Sequence, residues 1–234
     1  MKVDIWSDIM CPFCYIGKRK FEAALEQFPH KEKVEISWHS FQLDPTIEDN
    51  VSEDIYDYLA KRKGQTRDWA IRVTNQISST ASEVGLSFNM DKAVVANSFE
   101  AHRLIQLAKI TGKDDGAEEL LFRAYFIEGR NIADKDVLRQ IGLQIGLNAE
   151  EVEQLFSSNN FAQEVQYDIA VAQQLGINGV PFFVLDNKYG VSGAQSPDVF
   201  TEALQQAWTE YEKESKVILV EDTTGVTCSI DGNC

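Results

Sequence analysis

Apolar positions recur along this chain with two different periods. Over residues 2 to 6 they alternate, with Val3 and Ile5 on one side and Lys2, Asp4 and Trp6 on the other, which predicts a short strand turning one face to a core. From Pro12 to about Phe28 the spacing becomes helical, through Tyr15, Phe21, Ala24, Leu25 and Phe28. Pro12 stands at the first helical position, where its missing N–H costs nothing. Val34, Ile36, Trp38 and Phe41 mark a second strand that Asp44-Pro45 closes.

Residues 51 to 158 show no comparable strand. Helical faces follow one another instead: Ile55, Tyr58 and Leu59; Trp69, Val73, Ile77, Ala81 and Val84; Ala101, Leu104, Ile105 and Ala108. Leu120, Leu121, Ala124 and Tyr125 continue the pattern, as do Val137, Leu138 and Ile141. Asn148 with Glu151 resembles a helix cap ahead of Val152, Leu155 and Phe156, and Gly64, Gly85, Gly112, Gly129 and Gly146 read as stops. A further helix runs from about Phe161 to Leu175. A β-rich run, Ile177 to Leu185, then a turn at Asp186-Asn187-Lys188 and a strand through Tyr189 to Ser192 predict a hairpin. Ser196-Pro197 opens the last helix, with Phe200, Ala203, Leu204, Ala207, Trp208 and Tyr211 on its face.

The predicted order is therefore βαβ, an all-helical insertion, then αββα, an α/β chain. We divide it into residues 1–46 and 160–212 as one domain, 47–159 as the helical insertion, and 213–234 as a tail of little helical period. The 234 residues, 44% of them hydrophobic, suffice for a real core without a disulfide scaffold. Against 37 Asp and Glu there are only 22 Lys and Arg, a net charge of −15, which argues against nucleic acid and anionic membrane surfaces as partners. No window approaches the roughly 20 apolar residues of a membrane span. The polar alternation at the start does not resemble a secretory signal, so a cytoplasmic address is expected. Thiols are kept reduced there, and closely spaced cysteines then point to redox or metal chemistry.

Four cysteines are present, two of them in Cys11-Pro12-Phe13-Cys14, where the first strand hands over to a helix. At a helix N-terminus unpaired N–H groups and the helix dipole favour an anion, so Cys11 is expected to attack as a thiolate. Cys14, one turn further in, is placed to resolve a mixed disulfide. Two other readings stay open at this point: half of a zinc site completed by Cys228 and Cys234, or two inert buried thiols. A helix start at Pro12 speaks against zinc knuckle geometry. Val180-Pro181, just before a strand, further suggests a cis peptide bond.

Together, Cys11-Pro12-Phe13-Cys14 after a first strand, a helical insertion, and Gly179-Val180-Pro181 before the penultimate strand resemble the thioredoxin superfamily, and within it the DsbA family. The segments Asp8 to Pro12, Tyr15 to Lys18, Ser40 to Pro45, Asn97 to Arg103 and Gly179 to Phe183 are similar to its cytoplasmic FrnE-like subgroup. The resemblance spans about residues 1 to 212. It implies a thioredoxin-like fold interrupted by a helical domain, and dithiol/disulfide exchange on protein or peptide substrates, as oxidation, reduction or isomerisation. By the same likeness Pro181 is cis and packs against the cysteine pair, excluding metal, so that no metal is expected. Pro12, Phe13, Val180 and Pro181 shape the substrate site, the Val180 backbone pairing with an extended peptide. No prosthetic cofactor is implied; glutathione or a thioredoxin system serves as reductant or partner.

Where DsbA itself has a His between its cysteines, this chain has Phe13, which offers the Cys11 thiolate neither a hydrogen bond nor a positive charge. A strongly oxidising potential is not implied. Cys228 and Cys234 form a further pair around an Asp-Gly turn, read as an auxiliary redox pair. His39 and His102 read as packed histidines, and most of Trp69, Phe88, Phe99, Phe122, Tyr125 and Phe126 as core. Related glutathione-dependent 2-hydroxychromene-2-carboxylate isomerases and kappa-class transferases give a competing function, which has no use for a resolving cysteine such as Cys14. A non-enzymatic holdase for unfolded chains is a third.

Overall fold

A computed structural model describes residues 1–48 and 53–214. The chain opens with β1 (Lys2–Ser7), α1 (Pro12–Glu26) and β2 (Glu35–Ser40). Seven helices follow among the described residues: α2 (Ile55–Lys63), α3 (Arg67–Ser82), α4 (Phe99–Ile110), α5 (Asp114–Arg123), α6 (Lys135–Gln144), α7 (Ala149–Ser157) and α8 (Ala162–Gln174). β3 (Phe182–Leu185), β4 (Tyr189–Ser192) and α9 (Pro197–Glu214) complete it. The four strands lie in one sheet of order β2-β1-β3-β4, with β1 parallel to β2 and antiparallel to β3. This is the predicted α/β architecture, a thioredoxin-like sheet with a helical insertion between β2 and the β3–β4 hairpin.

The two faces of β1 are covered by different helices. Val3 and Ile5 join Phe183 and Leu185 beneath α1 and α9, where Phe21, Phe183 and Phe200 meet with ring centroids 4.7 to 5.6 Å apart. The opposite face differs from the sequence reading, which left Asp4 and Trp6 outside. Both are buried, because α8 lies across them. Trp6 stacks on His39 at 4.5 Å and its indole N–H donates to the Asp168 carbonyl on α8. Asp4 is satisfied by His39 Nε2 at 2.6 Å and by Lys2. A two-residue period shows alternation but not which face a distant helix will cover.

β2 is an edge strand whose outward backbone groups at Trp38 and Ser40 meet side chains rather than another strand. Trp38 N–H donates to Asp114 Oδ2 at 3.3 Å and Ser40 N–H to Asp168 Oδ2 at 2.9 Å, while Lys109 Nζ donates to the Trp38 carbonyl at 2.8 Å. These carboxylates and this ammonium come from α5, α8 and α4, so the insertion and α8 are bolted to the sheet by its own edge. α4 is the buried axis of the insertion: all eight residues from Ala101 to Ala108 are buried. Helix ends follow their predicted chemistry, with Asn148 Oδ1 accepting from Glu150 and Glu151 N–H groups and Gly64 and Gly129 closing their turns at φ +61 and +68.

Candidate active site

Parallel strands β1 and β2 end at the same edge of the sheet, and the Cys11–Cys14 segment sits just beyond it. Cys11 is the N-cap of α1, in extended backbone, and Pro12 holds the first helical position. Cys14 N–H bonds back to the Cys11 carbonyl at 3.0 Å, which brings both residues into one tight turn. Cys11 is 4% exposed and Cys14 wholly buried, while Phe13 between them stands 44% exposed. Both thiols are free.

The hairpin delivers the second half of the site. The Val180-Pro181 peptide bond is cis, and the Cys11 thiol donates to the Val180 carbonyl across 3.4 Å. The structure thus brings Cys11, Pro12, Phe13, Cys14, Val180 and Pro181 together at one edge. Gly17 makes this approach possible: a Cβ there would lie 2.9 Å from Pro181 Cγ and 3.5 Å from Ala194. Cys228 and Cys234 lie outside the described residues.

Burial drives the Cys14 thiol well above the ordinary thiol range, and the neighbouring Cys11 adds to it. The Asp8 backbone N–H and the Ser7 hydroxyl oppose that shift by favouring the Cys14 anion. The sequence alone gives neither residue a role, although Asp8 opens the Asp8 to Pro12 segment three positions before the first cysteine. Its side chain is fully buried and accepts from Leu43 N–H at 2.7 Å and Met10 N–H at 3.3 Å. His102, expected to be a packed histidine, is indeed inaccessible, but neither ring nitrogen has a hydrogen-bond partner, and Nε2 lies 3.6 Å from Asp8 Oδ1. Glu118 on α5 is likewise buried with both carboxyl oxygens unpaired, and burial raises it far above the usual carboxylate range.

His39 sits elsewhere, clamped between Asp4 and Asp168 on the α8 side of the sheet. Of the aromatics read as core, Phe122, Tyr125 and Phe126 are buried, and Tyr15 stacks on Phe122 at 4.9 Å. Phe99 instead lines a cavity of about 740 Å³ with Gln42, Pro45 and Asn97. A second, of about 410 Å³, shares Gln42 and Pro45 with it and reaches Ile177 and Asn178, next to the Val180 loop. Among the described residues no cluster of three His, Cys, Asp or Glu is placed to hold a metal, and no helix is long and apolar enough to cross a membrane.

Comparison with known proteins gives a consistent picture. A family model described as a DSBA-like thioredoxin domain matches residues 2–205. A probable DsbA oxidoreductase from Streptomyces coelicolor is 37% identical, with a TM-score of 0.86 and coverage of 100% of this chain and 98% of that one. An uncharacterized protein of Bacillus subtilis is 25% identical over 207 residues, 86% of this chain and 94% of its own. The fold alone is shared with a cytosolic disulfide reductase from Pseudomonas aeruginosa, DsbM, whose structure holds glutathione: TM-score 0.61, 18% identity, 89% of this chain and 100% of that one.

Proposed function

Because the chain belongs to the DSBA-like thioredoxin domain family, we propose that it is a thiol:disulfide oxidoreductase acting on protein or peptide disulfides, with Cys11 attacking and Cys14 resolving. The observation that carries this reading is the placement of Cys11 at the N-cap of α1, 3.4 Å from the Val180 carbonyl beside cis-Pro181, with Cys14 buried one turn behind it. The helix terminus offers its unpaired N–H groups to a thiolate at Cys11. Attack on a substrate disulfide forms a Cys11–substrate bond and expels one substrate thiolate. Cys14 then attacks the Cys11 sulfur, closes the Cys11–Cys14 disulfide and releases the second.

Val180 brings its carbonyl to the nucleophile just ahead of β3, which supports a peptide laid along this edge in the manner of an added strand. Room for such a chain lies in the adjoining cavities past Gln42 and Pro45. Phe13 gives the Cys11 thiolate no donor, which supports exchange or reduction in a cytoplasm poised by glutathione or a thioredoxin system over strong oxidation. Cys228 and Cys234 serve in this reading as an auxiliary pair.

Insulin reduction driven by a dithiol tests the assignment. Cys11→Ser is expected to abolish turnover, and Cys14→Ser to accumulate a mixed disulfide visible by mass spectrometry; full activity in Cys11→Ser overturns it. Mass spectrometry of alkylated protein across a graded glutathione buffer orders the oxidation of the two cysteine pairs. Tight glutathione binding by calorimetry together with a dispensable Cys14 would move the function to the glutathione-dependent isomerase or transferase class.

A further inference from the structure

Two cavities adjoin beside the nucleophile. The smaller, of about 410 Å³, follows α8 as far as Ile177 and Asn178, just before the Val180 carbonyl that meets Cys11. The larger, of about 740 Å³, is walled by the loop after β2, by α8 and by the starts of α4 and α6. Gln42, Pro45 and Gln166 belong to both, so the two make one trough leading from beside Val180 onto the insertion. Sites for small ligands are mostly apolar, with a few polar groups that fix orientation. This trough instead carries six carboxamides, Gln42, Asn97, Asn131, Gln166, Gln173 and Asn178.

Some of its polar groups are spent on the fold. Asn97 Nδ2 donates to the Pro45 and Ile47 carbonyls at 3.3 and 3.0 Å, and its Oδ1 accepts from Phe99 N–H at 3.0 Å and from Gln42 Nε2 at 2.9 Å. The charges are spent too. Glu100 pairs with Arg103 at 2.8 Å, Lys135 Nζ donates to the Phe156 carbonyl at 3.2 Å, and Asp134 caps α6 by accepting from Asp136 N–H at 2.8 Å. What remains is neutral: Gln42 Oε1, Asn131 Nδ2, Asn178 Oδ1 and both polar ends of Gln166 and Gln173 make no hydrogen bond among the described residues. A carboxamide offers a carbonyl acceptor and an N–H donor, the same two groups that every peptide unit presents. A row of such side chains selects for neither sign of charge, and it suits an extended chain whose N–H and C=O groups line its edges.

We propose that this trough binds the main chain of an extended substrate polypeptide on one side of its reacting cysteine, with Gln42 and Gln166 as specificity-determining residues and Asn97 as the positioning residue that orients Gln42. The preferred substrate is then a disulfide within an extended segment of several residues, read by its backbone, and not a compact disulfide that reaches no further than Val180. Recognition of this kind leaves the substrate's side chains open and selects for length and extension. The inference rests on the attacking role given to Cys11 above.

Peptides with a single cysteine, activated as its mixed disulfide with thionitrobenzoate, test it on the reduced full-length protein. Cys11 attacks the peptide sulfur and forms a Cys11–peptide disulfide, while thionitrobenzoate leaves with the bonding pair and is read by its absorbance. Second-order rate constants are compared for N-acetylcysteine amide and for the same cysteine extended by alternating alanines and serines toward either terminus. An arm on one side is expected to raise the rate constant about tenfold over the compact disulfide, and N-methylation of its peptide nitrogens to remove most of that gain. Gln42→Leu and Gln166→Leu should each lower the ratio of extended to compact rate constants about threefold to tenfold, the worth of one hydrogen bond to a peptide group. Gln166 is exposed on α8 and has no hydrogen bond to lose, so its variant keeps the test clear of folding. Equal rates with and without either arm, an N-methylated arm as fast as its parent, or a native ratio in Gln166→Leu overturns the trough. Release that persists unchanged in Cys11→Ser overturns the attacking role itself, a different failure.

Discussion

Two residues beside the nucleophile are expected to set its chemistry, and neither carries a charge. Gly17 abuts Pro181 with no room for a methyl group, since a Cβ would come within 2.9 Å of the ring and the neighbouring Ala194 backbone blocks retreat at 3.5 Å. Gly17→Ala is therefore expected to displace the Val180-Pro181 loop from Cys11, lowering stability by about 1–3 kcal/mol by overpacking. It should also slow the reaction of Cys11 with Ellman's disulfide; a melt and a rate constant together check it. Phe13, half in solvent, offers no donor to the Cys11 sulfur. In Phe13→His an imidazole would supply one, stabilising the reduced form. Equilibration with a glutathione buffer should show the potential rising by about 30 mV, a tenfold change in equilibrium constant. An unchanged ratio of oxidised to reduced protein would show that the dipeptide between the cysteines does not tune this pair.

Among elements, the clamp around His39 ties β1, β2 and α8 together, and its sign with pH is fixed. Burial opposes charge on His39, but the hydrogen bonds its ring donates to Asp168 and Asp4 outweigh it and raise the imidazole above its ordinary range. Asp4 and Asp168 are opposed by burial in turn and lowered by His39, with Lys2 and Lys109 assisting. The His39 contribution is complete below about pH 6.5 and fades as pH rises through the raised value. That of the carboxylates is complete above about pH 4 and fades as pH falls through the lowered values. His39→Gln is expected to cost about 2–4 kcal/mol near pH 6, and less in alkali, by denaturant titration. Glu118 works the other way: raised by burial, it binds a proton in the folded chain that the unfolded chain releases above about pH 4.5. Glu118→Gln should thus gain in stability relative to the native protein as pH rises from about 4 to 7, and equal stability across that range would refute the buried acid. These elements also show what a sequence reveals. Cys11, Pro12 and Cys14 were legible because helix-start chemistry is local, and Val180-Pro181 because strand entry is. Asp8, His102 and Glu118 were not: α4 is buried on every side, so periodicity could not single out His102, and the partner of each lies on an element remote in sequence.

For the whole molecule, the net charge of −15 acts on encounter and not on the sulfur chemistry. Exchange with a cationic peptide disulfide is expected to slow severalfold as ionic strength rises from about 0.02 to 0.3 M, while the anionic disulfide of glutathione should react faster over the same range. Matching salt slopes for the two substrates would count against electrostatic selection of basic chains. The outer edge of β2 at Trp38 and Ser40 bears on the same encounters. Extended chains seek unpaired strand edges, and an open edge recruits them into sheet-on-sheet aggregates. Asp114, Asp168 and Lys109 occupy the hydrogen-bonding positions such a chain would take along Trp38 and Ser40. A chain arriving at those positions finds its pairing groups already taken.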